Sequence, residues 1–252
     1  MLKLFSFVLT FFIFSWALEK LMPDEKKTVG FYAPNAVLQD YKGELRTLRE
    51  LSGGKVLVLN PIYTRCTSAC PVMTQSLKKT VKELKEDVTL VSLTFDPRDT
   101  LDDLKRFKEV QSLPENWYVV KEKEYGELLK AVDYRFSYDE KLGEFEHPNL
   151  YVVLSPSLKI SRYLYGVSPR SRDLRLAVLE AKREEARLSP VEGFWLRCFR
   201  YDGEEGTYKL DWSFLLNVMG GLLTFLLVPL VVWGGGLRGF LRSINNFLIK
   251  NS

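Results

Sequence analysis

The stretch VLVLNPIYTRCTSACPVMTQSLKKTVKEL, residues 56–84, decides the fold class of this chain. Its start, Val56 to Asn60, is a continuous β-branched and aliphatic run, which is typical of a strand covered on both faces. From Pro71 onward, apolar residues recur on one helical face and lysines occupy the other. Two cysteines, Cys66 and Cys70, lie in the turn between these elements. The stretch therefore predicts a strand–helix unit with two thiols at its turn.

The same alternation of strand and helix continues along the chain. Consecutive βα units require right-handed crossovers and a mostly parallel central sheet, and a terminal hairpin adds an antiparallel edge. The pattern predicts an α/β fold, a thioredoxin-like sandwich with a central mixed sheet. The predicted elements are an extended piece and a turn at Tyr41–Gly43, strands at 88–95 and 117–121, helices from about 100 and over 124–132, a hairpin of strands at 150–155 and 160–166, and a helix capped by Ser168 from Pro169 to about Leu188.

The N-terminal end is apolar. Residues 4–18 form an uncharged run behind Lys3, with the length of a signal-peptide h-region and too short to span a bilayer comfortably. Ser15 and Ala17 fit a cleavage after Ala17. We expect residues 1–17 to be a signal peptide or an uncleaved N-terminal anchor, followed by a polar linker over 18–29.

A second apolar segment, residues 213–237, contains no charged residue. At ~1.5 Å per residue it is longer than a ~30 Å hydrocarbon core, which predicts a tilted transmembrane helix. The tail at 238–252 carries basic but no acidic residues, so the positive-inside rule predicts that it is cytoplasmic. The main domain, 30–188, and a juxtamembrane segment, 189–212, are then expected on the outer, periplasmic side of the cytoplasmic membrane.

Composition narrows the function classes. The chain has 252 residues, 46% of them hydrophobic, and a net charge of +4 with both signs spread throughout. This charge pattern argues against a nucleic-acid-binding surface. Three cysteines, Cys66, Cys70 and Cys198, do not make a dense disulfide framework. Because three is odd, at least one thiol is free, bound to a metal, or paired outside the chain.

Cys66 and Cys70 have the surroundings of reactive thiols. The free amides and positive dipole end at a helix N-terminus favour thiolate over thiol. Three residues separate the two cysteines, whereas a thioredoxin-type redox pair has two, so a disulfide between them would close a looser ring. This spacing favours a metal site without excluding a redox pair or a simple disulfide.

The single histidine, His147, precedes the strand at 150–155, whose start is expected beside the cysteine turn. Two thiolates and one imidazole would suit Cu(I) and fall one ligand short of a closed zinc site. Alternatively, His147 is a loop residue with no partner.

The chain resembles the Sco/SenC family of copper-binding assembly factors for cytochrome oxidase over about residues 30–188. The resemblance implies that a copper ion is bound by Cys66, Cys70 and His147. It also implies that Asp96 and Asp99 shape the site or dock a partner, although both residues are also placed to cap the helix near Thr100. The matching motifs are C-x-x-x-C-P at 66–71, FDPRDT at 95–100, the histidine ahead of LYVVLSP, and KGELRTLRELSGGKVLVLN at 42–60.

The C-terminal membrane segment departs from the family's usual single N-terminal anchor. Before it, RCFRYDGEEGTYKLDW at 197–212 contains Cys198, which is a third soft ligand, a cysteine paired between chains, or a packed residue.

Several functions remain open at this point. The resemblance implies a membrane-tethered copper chaperone that delivers copper to the oxidase subunit carrying the binuclear copper site. The alternative is an enzyme, a thiol-disulfide oxidoreductase in which Cys66 and Cys70 keep the oxidase's metal-binding cysteines reduced, with a thiol reductant as a further partner. A peroxidase is disfavoured because the gaps between Pro61, Thr64 and Cys66 are each one residue short of P-x-x-x-T-x-x-C. A membrane adaptor with an inert disulfide is disfavoured by the amide-rich position of the thiols.

Overall fold

The computed structural model of the chain describes residues 21–84, 86–183, 194–195, 197–202 and 207–227. The chain divides into two compact units, Met1–Leu196 with Tyr201–Tyr208, and Arg197–Arg200 with Lys209–Ser252. The predicted signal peptide at 1–17 and the predicted cytoplasmic tail at 238–252 lie outside the described residues.

A seven-stranded sheet forms the centre of the first unit. Its strands are β1 (Val37–Asp40), β2 (Leu45–Thr47), β3 (Val56–Ile62), β4 (Val88–Thr94), β5 (Trp117–Glu122), β8 (Leu150–Leu154) and β9 (Ile160–Tyr165). They lie in the order β2-β1-β5-β4-β3-β8-β9. Strands β3, β4 and β5 pair in parallel, whereas β1, β2, β8 and β9 pair antiparallel with their neighbours. The predicted mixed α/β sandwich is thus confirmed. Two further strands, β6 (Ser137–Asp139) and β7 (Glu144–Glu146), follow β5 along the chain and lie outside this sheet.

Within the described residues up to 183, six short to medium helices flank these strands, and they include the four that the sequence predicts. They are α1 (Glu25–Thr28), α2 (Leu48–Ser52), α3 (Ala69–Lys82), α4 (Leu101–Val110), α5 (Glu127–Ala131) and α6 (Ser171–Lys182).

The predicted start of α6 was wrong. The helix begins at Ser171 after Arg170, not at Pro169 after a Ser168 cap, and Arg170 provides no side-chain cap. The preceding segment is instead tied to other elements, because the hydroxyl of Thr80 donates to the Pro169 carbonyl at 3.1 Å and that of Tyr151 donates to Val167 at 3.2 Å. The predicted end near residue 188 lies outside the described residues.

The two central strands, β3 and β4, determine where the candidate site lies. All seven residues of β3 and all seven of β4 are buried. Parallel strands expose their carboxyl ends at one edge of the sheet, so the loops that follow β3 and β4 meet there. These are the loops that carry Cys66 and Asp96.

A two-stranded sheet of β6 and β7 stands apart from the central sheet, and the sequence did not predict it. It pairs Ser137 with Glu146 and Asp139 with Glu144, and it ends one residue before His147. His147 therefore lies in a loop, as predicted, and this loop at 147–149 connects the hairpin to β8.

The C-terminal part contains a further two-stranded sheet of β10 (Phe199–Asp202) and β11 (Thr207–Leu210), and residues 212–227 are helical. The predicted membrane helix over 213–237 is therefore described only as far as residue 227. Within the residues that the structure describes, no helix is long and apolar enough to cross a membrane.

Candidate metal centre

Cys66 and Cys70 meet at the start of α3. Cys66 lies in the loop after β3, and Cys70 is the second residue of the helix. Ser68, the N-cap residue, makes no side-chain cap hydrogen bond. The backbone N–H of Cys70 instead donates to the Cys66 sulfur, 3.3 Å away, so the sulfur satisfies a free helix amide. Neither of the two is in a disulfide bond.

The two thiols have opposite acid–base character. The S–H of Cys70 donates to Cys66 and holds the pKa of Cys66 well below its usual range, against the opposing effect of burial. The same hydrogen bond, burial and the charge on Cys66 raise the pKa of Cys70. Cys66 is therefore the thiolate and Cys70 the thiol. Both residues are buried, and Cys66 is the more exposed of the two, at 6% against 0% for Cys70.

His147 completes the group. Its imidazole hydrogen-bonds the Cys66 sulfur and contributes to the low pKa of that thiol. Its Nδ1 lies 3.1 Å from the hydroxyl of Tyr134 and 3.3 Å from the carbonyl of Pro148. The fold thus brings together the three residues that the sequence predicted as ligands, although 77 or more positions separate the histidine from the thiols along the chain.

The contacts among these side chains are hydrogen bonds. Across the described ranges, no group of three or more His, Cys, Asp or Glu side chains is arranged to hold a metal ion. Metal ions bind the deprotonated forms of thiols and imidazoles, so binding at such groups releases protons. The donor set itself, two sulfurs and one ring nitrogen, is the type that soft and borderline metals prefer.

Asp96 and Asp99 hold the loop in front of Cys66. Asp99 accepts hydrogen bonds from the backbone N–H of Thr64 at 3.0 Å and its hydroxyl at 2.7 Å, and from the hydroxyl of Thr94. Asp96 pairs with Arg65 at 2.6 Å and Arg98 at 2.9 Å. Burial opposes ionisation of Asp96, but the hydrogen bonds from both arginines lower its pKa.

The helix-cap interpretation of these two carboxylates was wrong. Thr100 caps α4 itself, in a reciprocal capping box with Asp103. Asp96 and Asp99 are thereby left to shape the cysteine loop, which was the other role considered.

An aromatic cluster surrounds the site, and sequence reasoning missed it. Tyr63 and Tyr134 contribute hydroxyls: Tyr134 reaches His147, and burial together with a hydrogen bond to Cys66 raises the pKa of Tyr63. The signal was present in the sequence, since aromatic residues recur between positions 134 and 145 just before the histidine. At the centre of the cluster, the Phe95 ring centroid lies 4.7–5.5 Å from those of Tyr63, Tyr134, Phe136, Phe145 and His147.

Cys198 belongs to the second unit. It is a buried free thiol, and its carbonyl accepts a hydrogen bond from the N–H of Asp211 at 2.8 Å. These local contacts fit a packed residue.

Comparison with known proteins places this geometry in a family. The SCO1/SenC family model matches residues 30–125. A crystal structure from Aquifex aeolicus VF5, provisionally described as an electron transfer protein, is 39% identical, with a TM-score of 0.59 over 62% of this chain and 95% of that one. This chain belongs to the SCO1/SenC family.

Two further structures share the fold of this SCO1/SenC protein. BsSco, a member of the Sco family of cytochrome c oxidase assembly proteins in which a disulfide switch was identified, is 24% identical, with a TM-score of 0.52 over 61% of this chain and 95% of its own. ScoI of Arabidopsis thaliana, solved with copper bound, is 19% identical, with a TM-score of 0.50 over 61% of this chain and 99% of its own. No curated protein matches the chain.

Proposed function

We propose that this SCO1/SenC protein binds a copper ion through Cys66, Cys70 and His147 and assists assembly of the copper site of cytochrome c oxidase. One observation supports the proposal: the Cys66 sulfur accepts a hydrogen bond from the backbone N–H of Cys70, and hydrogen bonds with the side chains of Cys70 and His147 lower the pKa of its thiol. The copper is cargo, to be passed to the oxidase subunit that carries the binuclear copper site.

The chemistry of the donors supports copper. Thiolates are soft ligands that select Cu(I) or zinc, and an imidazole is a common companion. Three donors are one fewer than a closed structural zinc site uses, and a site with a free position can pass its ion to another protein. Copper bound to ScoI of Arabidopsis thaliana is consistent with this assignment for a protein of the same fold.

A Cu(I) titration of the His147→Ala variant tests the proposal. Loss of a residue that only hydrogen-bonds a metal ligand typically lowers metal affinity ~10–100-fold. We expect a larger fall in Cu(I) affinity here, because His147→Ala removes a ligand itself. Glu146→Ala, an exposed neighbour on the same hairpin, is the matched control and should retain wild-type affinity. Equal affinities for wild type and His147→Ala would reject copper binding by this residue.

A second function, thiol-disulfide exchange, is favoured by the thiolate and thiol states of the pair. The Cys66 thiolate attacks a partner disulfide and forms a mixed disulfide, releasing the partner's first thiolate. Cys70 then gives its proton to that released thiolate and attacks the Cys66 sulfur, which releases the partner's second thiolate. The partner gains two electrons, this chain holds a Cys66–Cys70 disulfide, and a thiol reductant must restore it.

The order of alkylation tests that second function. At pH 6, iodoacetamide should modify Cys66 well before Cys70, as read by peptide mass spectrometry, because Cys66 has the lower thiol pKa and is the more exposed residue. Modification of Cys70 first would contradict the proposed attacking role of Cys66.

The location is also a proposal. The apolar N-terminal run, the uncharged segment at 213–237 and the basic tail support a protein tethered to the cytoplasmic membrane with its thiol domain on the periplasmic side. A tether would keep the protein in the plane of its membrane target and raise the effective concentration for transfer. A membrane-impermeant maleimide should label Cys66 in intact spheroplasts; labelling only after lysis would contradict this orientation.

A further inference from the structure

The side chain of Tyr134 is buried directly behind the imidazole of His147. It is 5% exposed, and its hydroxyl lies 3.1 Å from Nδ1 of His147 and donates to the Pro148 carbonyl at 3.2 Å. Nδ1 itself lies 3.3 Å from that carbonyl. The Tyr134 hydroxyl, Nδ1 of His147 and the Pro148 carbonyl therefore lie within hydrogen-bonding distance of one another. They have at most two protons between them, one on the hydroxyl and one on Nδ1.

The backbone fixes Tyr134 in this position. Its N–H donates to the Leu129 carbonyl at 2.9 Å, which closes the end of α5. The preceding residue, Asp133, has a φ of 48° and is held by the backbone N–H of Asp24 at 2.8 Å. The ring of Tyr134 also packs on Phe95, with centroids 5.3 Å apart.

Hydrogen-bond geometry decides which ring nitrogen keeps its proton. A carbonyl oxygen only accepts, so the hydroxyl proton of Tyr134 belongs on Pro148. The remaining contact, between the hydroxyl oxygen and Nδ1, is then a hydrogen bond only if Nδ1 carries a proton. The reverse arrangement, with the hydroxyl donating to Nδ1, leaves the buried Pro148 carbonyl without this donor.

We propose that Tyr134 is a positioning residue of the metal centre, whose hydroxyl accepts the Nδ1 proton of His147 and so reserves Nε2 for the sulfur side. Nε2 then faces the sulfur side of the site, and its lone pair is the one that the ring offers to an ion. This arrangement is the outer-shell support that metal-binding histidines generally have, where the other ring N–H is held by an oxygen acceptor. The role of Nε2 as a metal ligand rests on the proposed function. The protonation of Nδ1 follows from the hydrogen bonds alone and does not depend on that function.

Nitrogen-15 NMR of histidine-labelled protein tests the proposal directly, because His147 is the chain's single histidine and gives one pair of ring nitrogen signals. In the metal-free wild type, Nδ1 should show the shift of a protonated nitrogen, and in the Cu(I)-loaded protein it should stay protonated while the Nε2 signal moves. A wild-type spectrum with an unprotonated Nδ1 in either state would overturn the proposal without any variant.

Tyr134→Phe keeps the ring and removes the hydroxyl. We expect Nδ1 to lose its preference for the proton and the Cu(I) affinity to fall about 10–100-fold. Tyr163→Phe is the control, since it also removes a buried hydroxyl that donates to a backbone carbonyl, that of Val132 at 2.9 Å, and it should leave the His147 signals unchanged. Identical spectra for Tyr134→Phe and wild type would overturn the proposal. The Cu(I) titration of His147→Ala tests the proposed copper binding separately, so a failure of that function can be told apart from a failure of the role proposed for Tyr134.

Discussion

The two sides of the candidate site are built very differently. The cysteines follow β3, whose seven residues are all buried, and the loop that bears Cys66 is tied down by the buried carboxylates Asp96 and Asp99. His147 follows a hairpin of two three-residue strands, most of whose residues are exposed. An isolated two-stranded hairpin is only marginally stable in water.

This difference predicts how each side responds to change. The cysteine side shares its residues with the core, so damage there lowers the stability of the whole domain. The histidine side is held mainly by aromatic contacts around Phe95 and by Tyr134. Damage on that side should loosen the hairpin, and the position of one ligand, while the core stays intact.

Asp99→Ala should have the largest effect on folding. It removes a buried carboxylate that accepts from the N–H and hydroxyl of Thr64 and from the hydroxyl of Thr94, and it leaves those donors unsatisfied. We expect the free energy of unfolding in urea to fall by about 2–4 kcal/mol. Asp102→Ala, an exposed aspartate on α4, should change it little. Equal losses in the two variants would show that the carboxylate network does not anchor the loop.

Phe145→Ala should have a smaller and local effect. The Phe145 ring lies 5.2 Å from Tyr63 and 5.4 Å from Phe95, and such pairs contribute about 0.5–1.5 kcal/mol each. Amide hydrogen exchange in β6 and β7 should become faster, which corresponds to a fall of about 1–2 kcal/mol in the free energy of opening. The amides of β3 should stay protected. Equal acceleration in β3 would remove the distinction between the two sides.

The smallest expected effect is the pH dependence of Asp96. Its pKa is lowered in the folded protein, so its contribution to stability is present above the unfolded pKa of about 3.9 and is lost as pH falls toward the folded value. The difference in unfolding free energy between wild type and Asp96→Asn should be under about 1 kcal/mol, because both arginine partners are half exposed, and it should shrink from pH 6 to pH 3. A difference that grows on acidification would contradict this sign.

Much of the cysteine side could be predicted from the sequence, because its signals are local. The apolar run at Val56, the thiols and Pro71 specify a strand, a turn and a helix start within a few residues of one another. His147 could be placed only through the order of strands and the resemblance to a family. Its convergence with Cys66 is a property of sheet topology, which a single motif does not encode.

The parts that the sequence did not predict depend on contacts between distant residues. The hairpin of β6 and β7 is too short and too polar to show the alternation of a buried strand. The cap of α4 went to Thr100 rather than to Asp96 or Asp99 because both carboxylates found partners in the loop after β3. Likewise, nothing local to Tyr134 indicates that its hydroxyl faces an imidazole 13 residues further along the chain.

X-ray absorption of the Cu(I)-loaded protein, with and without His147, tests the central claim most directly. We expect two sulfur donors and one nitrogen donor around the copper in the wild type, and the same two sulfurs without that nitrogen in His147→Ala. Identical absorption spectra for the two proteins, or a wild-type ion bound by fewer than two sulfurs, would contradict it.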